Sequence, residues 1–202
     1  MEEYSRLAPE YDTRWSFYIA ATTSATLARL SVPPTGRVLD VGCGTGALLQ
    51  QLARKFPQAT LVGVDPVPEM LAVARGRVPS STELREGWAE ELPFEDNDFD
   101  VVVSCSMFHY VRQPVATLME LSRVLRPGGE LIITDWCGDY LACRVYDWWH
   151  RLFSPAHVNV YRERECLRLL KEAGHPPRAH SERYKINWLW GLMTVRVTKH
   201  AA

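Results

Sequence analysis

The sequence has no excess of basic residues. Its 23 Lys and Arg residues and 24 Asp and Glu residues leave a formal net charge of −1. Because binding to a phosphate backbone depends on a positive surface, this balance argues against a nucleic-acid-binding protein. The remaining composition, 47% hydrophobic and 23% charged residues, is typical of a soluble globular protein, and a length of 202 residues favours one domain.

Long apolar runs and paired cysteines are also missing. No stretch approaches the roughly 18 consecutive apolar residues of a membrane-spanning helix, and the acidic start at Glu2 and Glu3 is unlike a secretory signal. We therefore expect a cytoplasmic protein without a membrane span. The five cysteines are scattered and form no Cys-x-x-Cys pair, which argues against a disulfide framework and against a metal site.

The residues that are present alternate between strand and helix patterns. Buried-strand patterns lie near 37–42, 59–65, 82–86, 100–105 and 130–135, and helical patterns at 13–30, 48–56, 69–75, 114–125, 140–153 and 163–173. This alternation predicts a parallel sheet with helices on both faces. Two further strand patterns, 181–186 and 192–198, predict a terminal antiparallel hairpin.

A glycine turn follows the first strand, where doubly wound sheets bind their ligands. Gly42, Gly44 and Gly46 form it, and with Ala47 they satisfy a dinucleotide-binding fingerprint. Asp40, two residues before the turn, would repel a pyrophosphate but suits a cationic amino group. Asp65, at the end of the second strand, can accept both ribose hydroxyl protons. S-adenosylmethionine, which has a ribose, an ammonium group and no phosphate, fits both carboxylates.

Five motifs in order extend this interpretation to a family. They are VLDVGCGTG at 38–46, GVDPVPEML at 63–71, AEELPF at 89–94, FDVVVS at 99–104 and LRPGG at 125–129. The set resembles the class I S-adenosylmethionine-dependent methyltransferases, and within them the small-molecule branch of the ubiquinone and menaquinone methyltransferases.

The resemblance implies an α/β fold, a Rossmann-like, mostly parallel sheet of seven strands with helices on both faces and a C-terminal antiparallel hairpin. In this fold the sixth strand is expected to be inserted antiparallel. It further implies a single domain, with a helical cap at 1–34, a cofactor-binding core at 35–135 and acceptor-side helices and hairpin at 136–202.

The resemblance also predicts the site. The amino group of the cofactor is expected over Gly42 and near Ser104, and its adenine against Met70. Where the family usually carries an acidic residue for the adenine amino group, this chain has Trp88, which is expected to stack on the ring or cover it. The cofactor-binding residues predicted for S-adenosylmethionine are Tyr11, Asp40, Gly42, Gly44, Gly46, Asp65, Pro66, Met70, Trp88, Ala89, Glu90 and Ser104.

Two residues are candidates for catalysis. His109 follows the fourth strand, where it could remove a proton from a hydroxyl or thiol; a local hydrogen-bonding role is the alternative. Asp135 ends the fifth strand and could bind or deprotonate the acceptor, or simply cap a loop. Tyr11 and Asp12 match a pair on the segment that folds over the cofactor, although Asp12 could instead start a helix.

The predicted reaction is methyl transfer to the oxygen, carbon or sulfur of a small, largely apolar or aromatic acceptor. We expect a few aromatic residues of the last third, such as Trp136 and Tyr146, to line its pocket. The alternatives are a module that binds S-adenosylmethionine without turnover, a nicotinamide-dependent oxidoreductase, and an arsenite methyltransferase that uses Cys105 and Cys137. The sequence leaves the oligomeric state open.

Overall fold

One sheet of seven strands carries the fold. The computed structural model describes residues 2–153, 159–174, 180–186 and 188–200. The strands are β1 (Arg37–Val41), β2 (Thr60–Asp65), β3 (Glu83–Glu86), β4 (Phe99–Cys105), β5 (Leu125–Trp136), β6 (His180–Lys185) and β7 (Gly191–Thr198). Their spatial order is β3-β2-β1-β4-β5-β7-β6.

The two last strands form the predicted hairpin, but the expected place of the sixth strand was wrong. β7 lies between β5 and β6 and pairs antiparallel with both. The seventh strand is therefore the inserted antiparallel strand. The five strands β1 to β5 pair in parallel, as predicted.

Eight helices accompany the sheet in the described part of the chain. They are α1 (Glu2–Leu7), α2 (Tyr11–Arg14), α3 (Ser16–Arg29), α4 (Ala47–Lys55), α5 (Pro68–Arg75), α6 (Pro114–Val124), α7 (Leu141–Phe153) and α8 (Glu163–Glu172). A short 3-10 turn, Phe108–Tyr110, lies between β4 and α6. None of these helices is long and apolar enough to cross a membrane.

Side chains that alternate along the strands build a core on each face of the sheet. Val101 and Val103 pack with Ile132 in a core that includes Leu49 of α4. The intervening Val102 packs in the other core, on the side of α6 and α8. Because both neighbours along each central strand are buried, these strands are almost continuously apolar.

The structure corrects two predicted element boundaries. The helix expected over 13–30 is broken at Trp15, whose φ of −111° and ψ of 18° separate α2 from α3. The strand expected at 130–135 begins at Leu125, so the LRPGG segment belongs to β5 instead of ending the preceding helix.

Candidate active site

A cavity of about 510 Å³ opens at the carboxyl ends of the parallel strands. We call it the cofactor cavity. It is lined by nine of the predicted cofactor-binding residues: Tyr11, Gly42, Gly44, Asp65, Pro66, Met70, Trp88, Ala89 and Glu90. The fold thus brings together residues that are up to 79 positions apart in the sequence.

The glycine turn gives this cavity its floor. Gly42 and Gly44 have φ angles of +72° and +52°, a region that favours glycine. A Cβ atom at Gly42 would lie 2.3 Å from the Met107 side chain, whereas a Cβ atom at Gly44 would meet nothing within 4 Å. Gly44 therefore leaves open space that a ligand can use.

Asp65 lies at the end of β2 in the wall of the cofactor cavity, as predicted. Its exposed fraction is only 7%, so the residue is buried and does not face bulk solvent. One carboxylate oxygen accepts the Gly44 N–H at 2.8 Å and the other accepts the Val67 N–H at 2.9 Å. The carboxylate therefore also holds the glycine turn. Each oxygen retains a lone pair that can accept a ribose hydroxyl.

Asp40 lies in a second, smaller cavity of about 70 Å³, which we call the small cavity. It shares Tyr11, Gly42, Gly44 and Ser106 with the wall of the cofactor cavity. Asp40 is 2% exposed, and its Oδ1 has no hydrogen-bond partner among the described residues. Burial, and then the charge of Asp65, raises the pKa of Asp40 to about 7. Such an acceptor suits the cationic group that the sequence predicts.

Ser104 and Gly46, the two other predicted cofactor residues, stand apart from both cavities. Ser104 is fully buried on β4, and no described residue hydrogen-bonds its hydroxyl. Gly46 lies at the start of α4, where an added Cβ would come within 3.1 Å of Ala74 and within 3.0 Å of Val78. Gly46 therefore allows two segments to pack closely.

Tyrosines that the sequence analysis missed form one wall of the cofactor cavity. Tyr4 and Tyr110 both line it, and the Tyr4 hydroxyl donates a hydrogen bond to the Tyr110 hydroxyl. The Tyr4 ring also lies near Tyr11, at 6.0 Å between centroids. Burial raises the pKa of Tyr110 well above its usual value, so its hydroxyl stays neutral. Met107 adds an apolar side chain to the wall.

Asp12 fastens the N-terminal segment to the glycine turn. Its carboxylate accepts the Thr45 hydroxyl at 2.7 Å and pairs with the guanidinium of Arg77, which also donates to Thr45 at 3.0 Å. Asp12 makes no side-chain cap for α2. We call this three-residue contact the latch, because it holds α1 and α2 beside the cavity.

The two candidate catalytic residues form a buried pair. His109 Nδ1 lies 2.7 Å from Asp135 Oδ1, and Asp135 also accepts the backbone N–H groups of His109 and Trp136. Nδ1 faces the carboxylate and donates a hydrogen bond to it when this nitrogen carries the ring proton. His109 and Asp135 do not belong to the described lining of either cavity. Tyr110 does line the cofactor cavity, and its ring lies 3.9 Å from that of His109.

The aromatic residues of the last third pack mainly on one another. Trp136 stacks on Tyr18 at 4.2 Å and lies 5.2 Å from Trp190. From 136 onward, no described residue lines either cavity. The cysteines also have structural surroundings: the Cys105 thiol contacts Thr26, and the described residues hold no cluster that could bind a metal.

The family follows from this site and from the sequence. Residues 39–133 match the model of the methyltransferase domain family. The parallel pairing of β1 to β5, and a cavity at the carboxyl ends of these strands, are those expected from the motifs. Residues 39–133 therefore form a methyltransferase domain, in a chain with the class I S-adenosylmethionine-dependent methyltransferase fold.

Known proteins resemble it along different lengths. The fatty-acid O-methyltransferase of Mycolicibacterium smegmatis is 40% identical over 131 residues, 63% of this chain and 46% of the relative. The demethylmenaquinone methyltransferase of Deinococcus radiodurans is 34% identical, over 66% of this chain and 58% of the relative. A chain from a Haloferax volcanii complex with the Trm112 methyltransferase activator superposes with a TM-score of 0.82 over 98% of both chains, at 23% identity.

The chain spans about half of the length of these two curated relatives. The family nevertheless assigns S-adenosylmethionine as the cofactor. The residues present fit it, since Asp40 offers an unpartnered carboxylate oxygen for an ammonium group and Gly44 leaves space above the turn.

Proposed function

We propose that this protein transfers the methyl group of S-adenosylmethionine to a small, largely apolar or aromatic acceptor, at oxygen, carbon or sulfur. When bound, the cofactor supplies a sulfonium methyl group that a nucleophile can attack. The cofactor cavity carries this proposal, because Tyr4, Tyr110 and Met107 add an aromatic and apolar wall beside the predicted cofactor residues. The relatives named for fatty-acid and demethylmenaquinone methylation support the same kind of acceptor.

His109 is proposed as the general base. Asp135 orients its ring through Nδ1, so that Nε2 would take the proton from a hydroxyl or thiol acceptor. This role requires the Tyr110 side chain to admit the acceptor. The acceptor-side role of 136–202 and the cap role of 1–34 are further parts of the proposal.

A product screen tests the reaction. Purified protein is incubated with methyl-labelled S-adenosylmethionine and phenols, quinols, thiols, fatty acids or amines. We expect a labelled product and an equal amount of S-adenosylhomocysteine with one class of acceptor. A module that only binds the cofactor would release no S-adenosylhomocysteine with any of them.

The base is tested by His109→Asn, which keeps an N–H donor for Asp135. With a hydroxyl or thiol acceptor, turnover should fall about 10²- to 10⁴-fold while the dissociation constant of the cofactor stays the same. His180→Asn, at an exposed histidine on β6, is the matched control and should retain turnover. Full turnover in His109→Asn would instead show that positioning of the acceptor is sufficient.

A further inference from the structure

Large apolar side chains are exposed together on one part of the surface. Nine of the described residues are exposed large hydrophobics, and seven of the nine lie on three segments: α3, α7 and the turn between β6 and β7. The seven are Phe17, Leu141, Val145, Trp148, Trp149, Trp188 and Leu189. We call them the apolar patch. Exposed apolar residues that gather in one region mark a surface that binds a partner.

The three segments meet at a cluster of packed aromatic rings. Tyr18, which follows the patch residue of α3 and also lines the small cavity, stacks on Trp136 at 4.2 Å between ring centroids. Trp136 lies 5.8 Å from Tyr146 of α7 and 5.2 Å from Trp190, which follows the patch residues of the turn. The three exposed segments are therefore neighbours in the fold.

On α7 the apolar side chains face outwards. Leu141, Val145 and Trp148 are spaced by four and then three positions, so they share one face of the helix, and each is more than half exposed. Asp147 lies on the opposite face, where its carboxylate accepts the Val160 N–H at 2.9 Å. A helix on a globular protein normally buries its apolar stripe. The stripe of α7 is instead open to a partner.

Basic side chains border the patch. Arg14 lies three positions before the patch residue of α3, Arg144 lies on α7 and Lys185 ends β6. All three are exposed, and none of them forms an ion pair with a described residue. The one acidic residue of α7, Asp147, faces inwards, and Asp139 before this helix already has an ion-pair partner. The border is therefore positive, although the chain has a net charge of −1.

This combination suits the interface of an anionic lipid bilayer. Tryptophan rings favour the headgroup level, where one end of the ring is in an apolar environment and the indole N–H remains in a wet one. Basic side chains next to them attract anionic headgroups. A second copy of this chain is a poorer partner, because a symmetric contact would bring two positive borders together.

We propose that the apolar patch docks this protein on the surface of an anionic lipid bilayer. Trp148 and Trp188 insert among the headgroups, and Arg144 and Lys185 lie against the headgroup charges. The docking itself does not depend on the proposed methyl transfer.

The docking surface is close to the cofactor cavity. Burial raises the pKa of Tyr11, in the wall of this cavity, above its usual value, and the neighbours that add to this effect include Tyr146 of α7. The helix that carries most of the patch is thus near the cavity. If the proposed function holds, a largely apolar acceptor dissolved in the bilayer would be near the site that methylates it.

Co-sedimentation with vesicles tests the docking without any measurement of turnover. The full chain is mixed with vesicles made of equal parts of phosphatidylglycerol and phosphatidylcholine and, in parallel, with vesicles of phosphatidylcholine alone. We expect binding to the mixed vesicles that weakens as salt is added. Binding to phosphatidylcholine alone should be at least about tenfold weaker.

Substitutions assign the contact to the patch. The double variant Trp148→Gln, Trp188→Gln should bind the mixed vesicles at least about tenfold more weakly, because less apolar surface leaves water on docking. Arg144→Gln should reduce binding to the mixed vesicles about fivefold and leave binding to phosphatidylcholine unchanged. Met119→Gln is the matched control, since Met119 of α6 is 57% exposed, like Trp148 at 61%, but lies outside the patch. All these side chains are exposed, so each variant should keep the melting temperature of the wild type.

Several results would overturn the proposal. They are no binding of the wild type to the mixed vesicles, equal binding to both kinds of vesicle, and binding that is undiminished in the double tryptophan variant. A wild-type protein that is a dimer in analytical ultracentrifugation, with a monomeric double variant, would assign the patch to a second copy instead. None of these measurements uses the methyl-transfer reaction, so a failed product screen and a failed docking test are distinguishable.

Discussion

At the scale of single residues, the two carboxylates of the site have different partners and therefore different properties. Both oxygens of Asp65 accept backbone N–H groups, whereas Oδ1 of Asp40 has no partner among the described residues. Burial raises the pKa of both groups, but the two N–H groups oppose this effect at Asp65. Asp40 is therefore the carboxyl whose charge responds to a bound ammonium group near neutral pH.

The first prediction concerns pH and Asp40. In the free protein a pKa of about 7, raised from 3.8, means that the contribution of Asp40 to the free energy of unfolding falls as pH rises from about 4 to about 7. A bound ammonium group favours the charged carboxylate. The affinity for S-adenosylhomocysteine should therefore increase about tenfold between pH 5.5 and pH 7 and then level off, as measured by calorimetry.

Two comparisons isolate Asp40 in this experiment. Asp40→Asn should give an affinity that varies little over the same range, and so should 5′-methylthioadenosine, which has no ammonium group, with the wild-type protein. The titratable neighbours that interact with the charge of Asp40 are Asp65 and the thiols of Cys43 and Cys105, and all three remain in the variant. A tenfold pH effect that survives in Asp40→Asn would assign the titration to another group.

The sequence indicated where Asp40 and Asp65 lie in the fold, but it did not indicate that both side chains are buried. Motif positions identified Asp40 and Asp65, because a strand end before a glycine turn is a local pattern. Tyr18 and Tyr110 carry no such pattern, since each reaches its cavity only through tertiary packing. For Tyr110, the one signal in the sequence was its position directly after the candidate base His109, in a segment expected near the ligand.

At the scale of elements, the place of β7 could have been inferred from its composition. Nearly every residue of β7 is buried, with Met193 fully so, whereas β6 is exposed or half-buried along its length. An apolar strand belongs inside a sheet and a polar one at its edge. The hairpin pattern alone predicts that the two strands pair and leaves open which of them docks on β5.

The break at Trp15 had no such signal. The segment from 13 to 30 contains neither proline nor glycine, so local propensity favours one continuous helix. The latch of Asp12 with Thr45 and Arg77 fixes α2 separately from α3, and contacts of this kind are not readable from helical periodicity.

The second prediction tests the latch. Asp12→Ala removes the contacts from the N-terminal segment to Thr45 and Arg77, a partly buried network worth about 1 kcal/mol. Backbone amides of residues 2–14 should exchange with solvent several-fold faster, and S-adenosylhomocysteine should dissociate several-fold faster. Hydrogen exchange read by mass spectrometry and stopped-flow dissociation measure the two effects.

Glu182→Ala provides the control, because it removes the ion pair of Glu182 with Arg29, which joins α3 to β6. This variant should leave both the exchange of residues 2–14 and the dissociation rate unchanged. If Asp12→Ala exchanges like the wild type, the tyrosine contact between Tyr4 and Tyr110 is sufficient to hold the segment.

At the scale of the whole molecule, the cofactor cavity lies at an edge of the sheet to which both cores extend. Val41 and Val64, near the carboxyl ends of β1 and β2, belong to the core on the α6 side, and Cys43 in the glycine turn belongs to the core on the α4 side. Strand-and-helix alternation made this arrangement predictable from the sequence. A ligand in the cofactor cavity would contact segments from the end of β1 to the 3-10 turn after β4. Its binding should therefore stabilise the entire fold.

The last prediction uses that coupling to separate the methyltransferase from a nicotinamide-dependent enzyme. At 100 times its dissociation constant, S-adenosylhomocysteine should add about 2.7 kcal/mol to the free energy of unfolding and raise the melting temperature by roughly 5–10 °C. NADH at the same concentration should cause no comparable shift, because Asp40 repels a pyrophosphate at the turn. Gly44→Ala should lose the shift, since its Cβ would occupy ligand space. Gly128→Ala also lies at positive φ with nothing within 4 Å, so it should be destabilised similarly by itself while keeping the shift. Stabilisation by NADH alone would contradict the cofactor assignment, whereas equal shifts in the two glycine variants would place the ligand away from the turn.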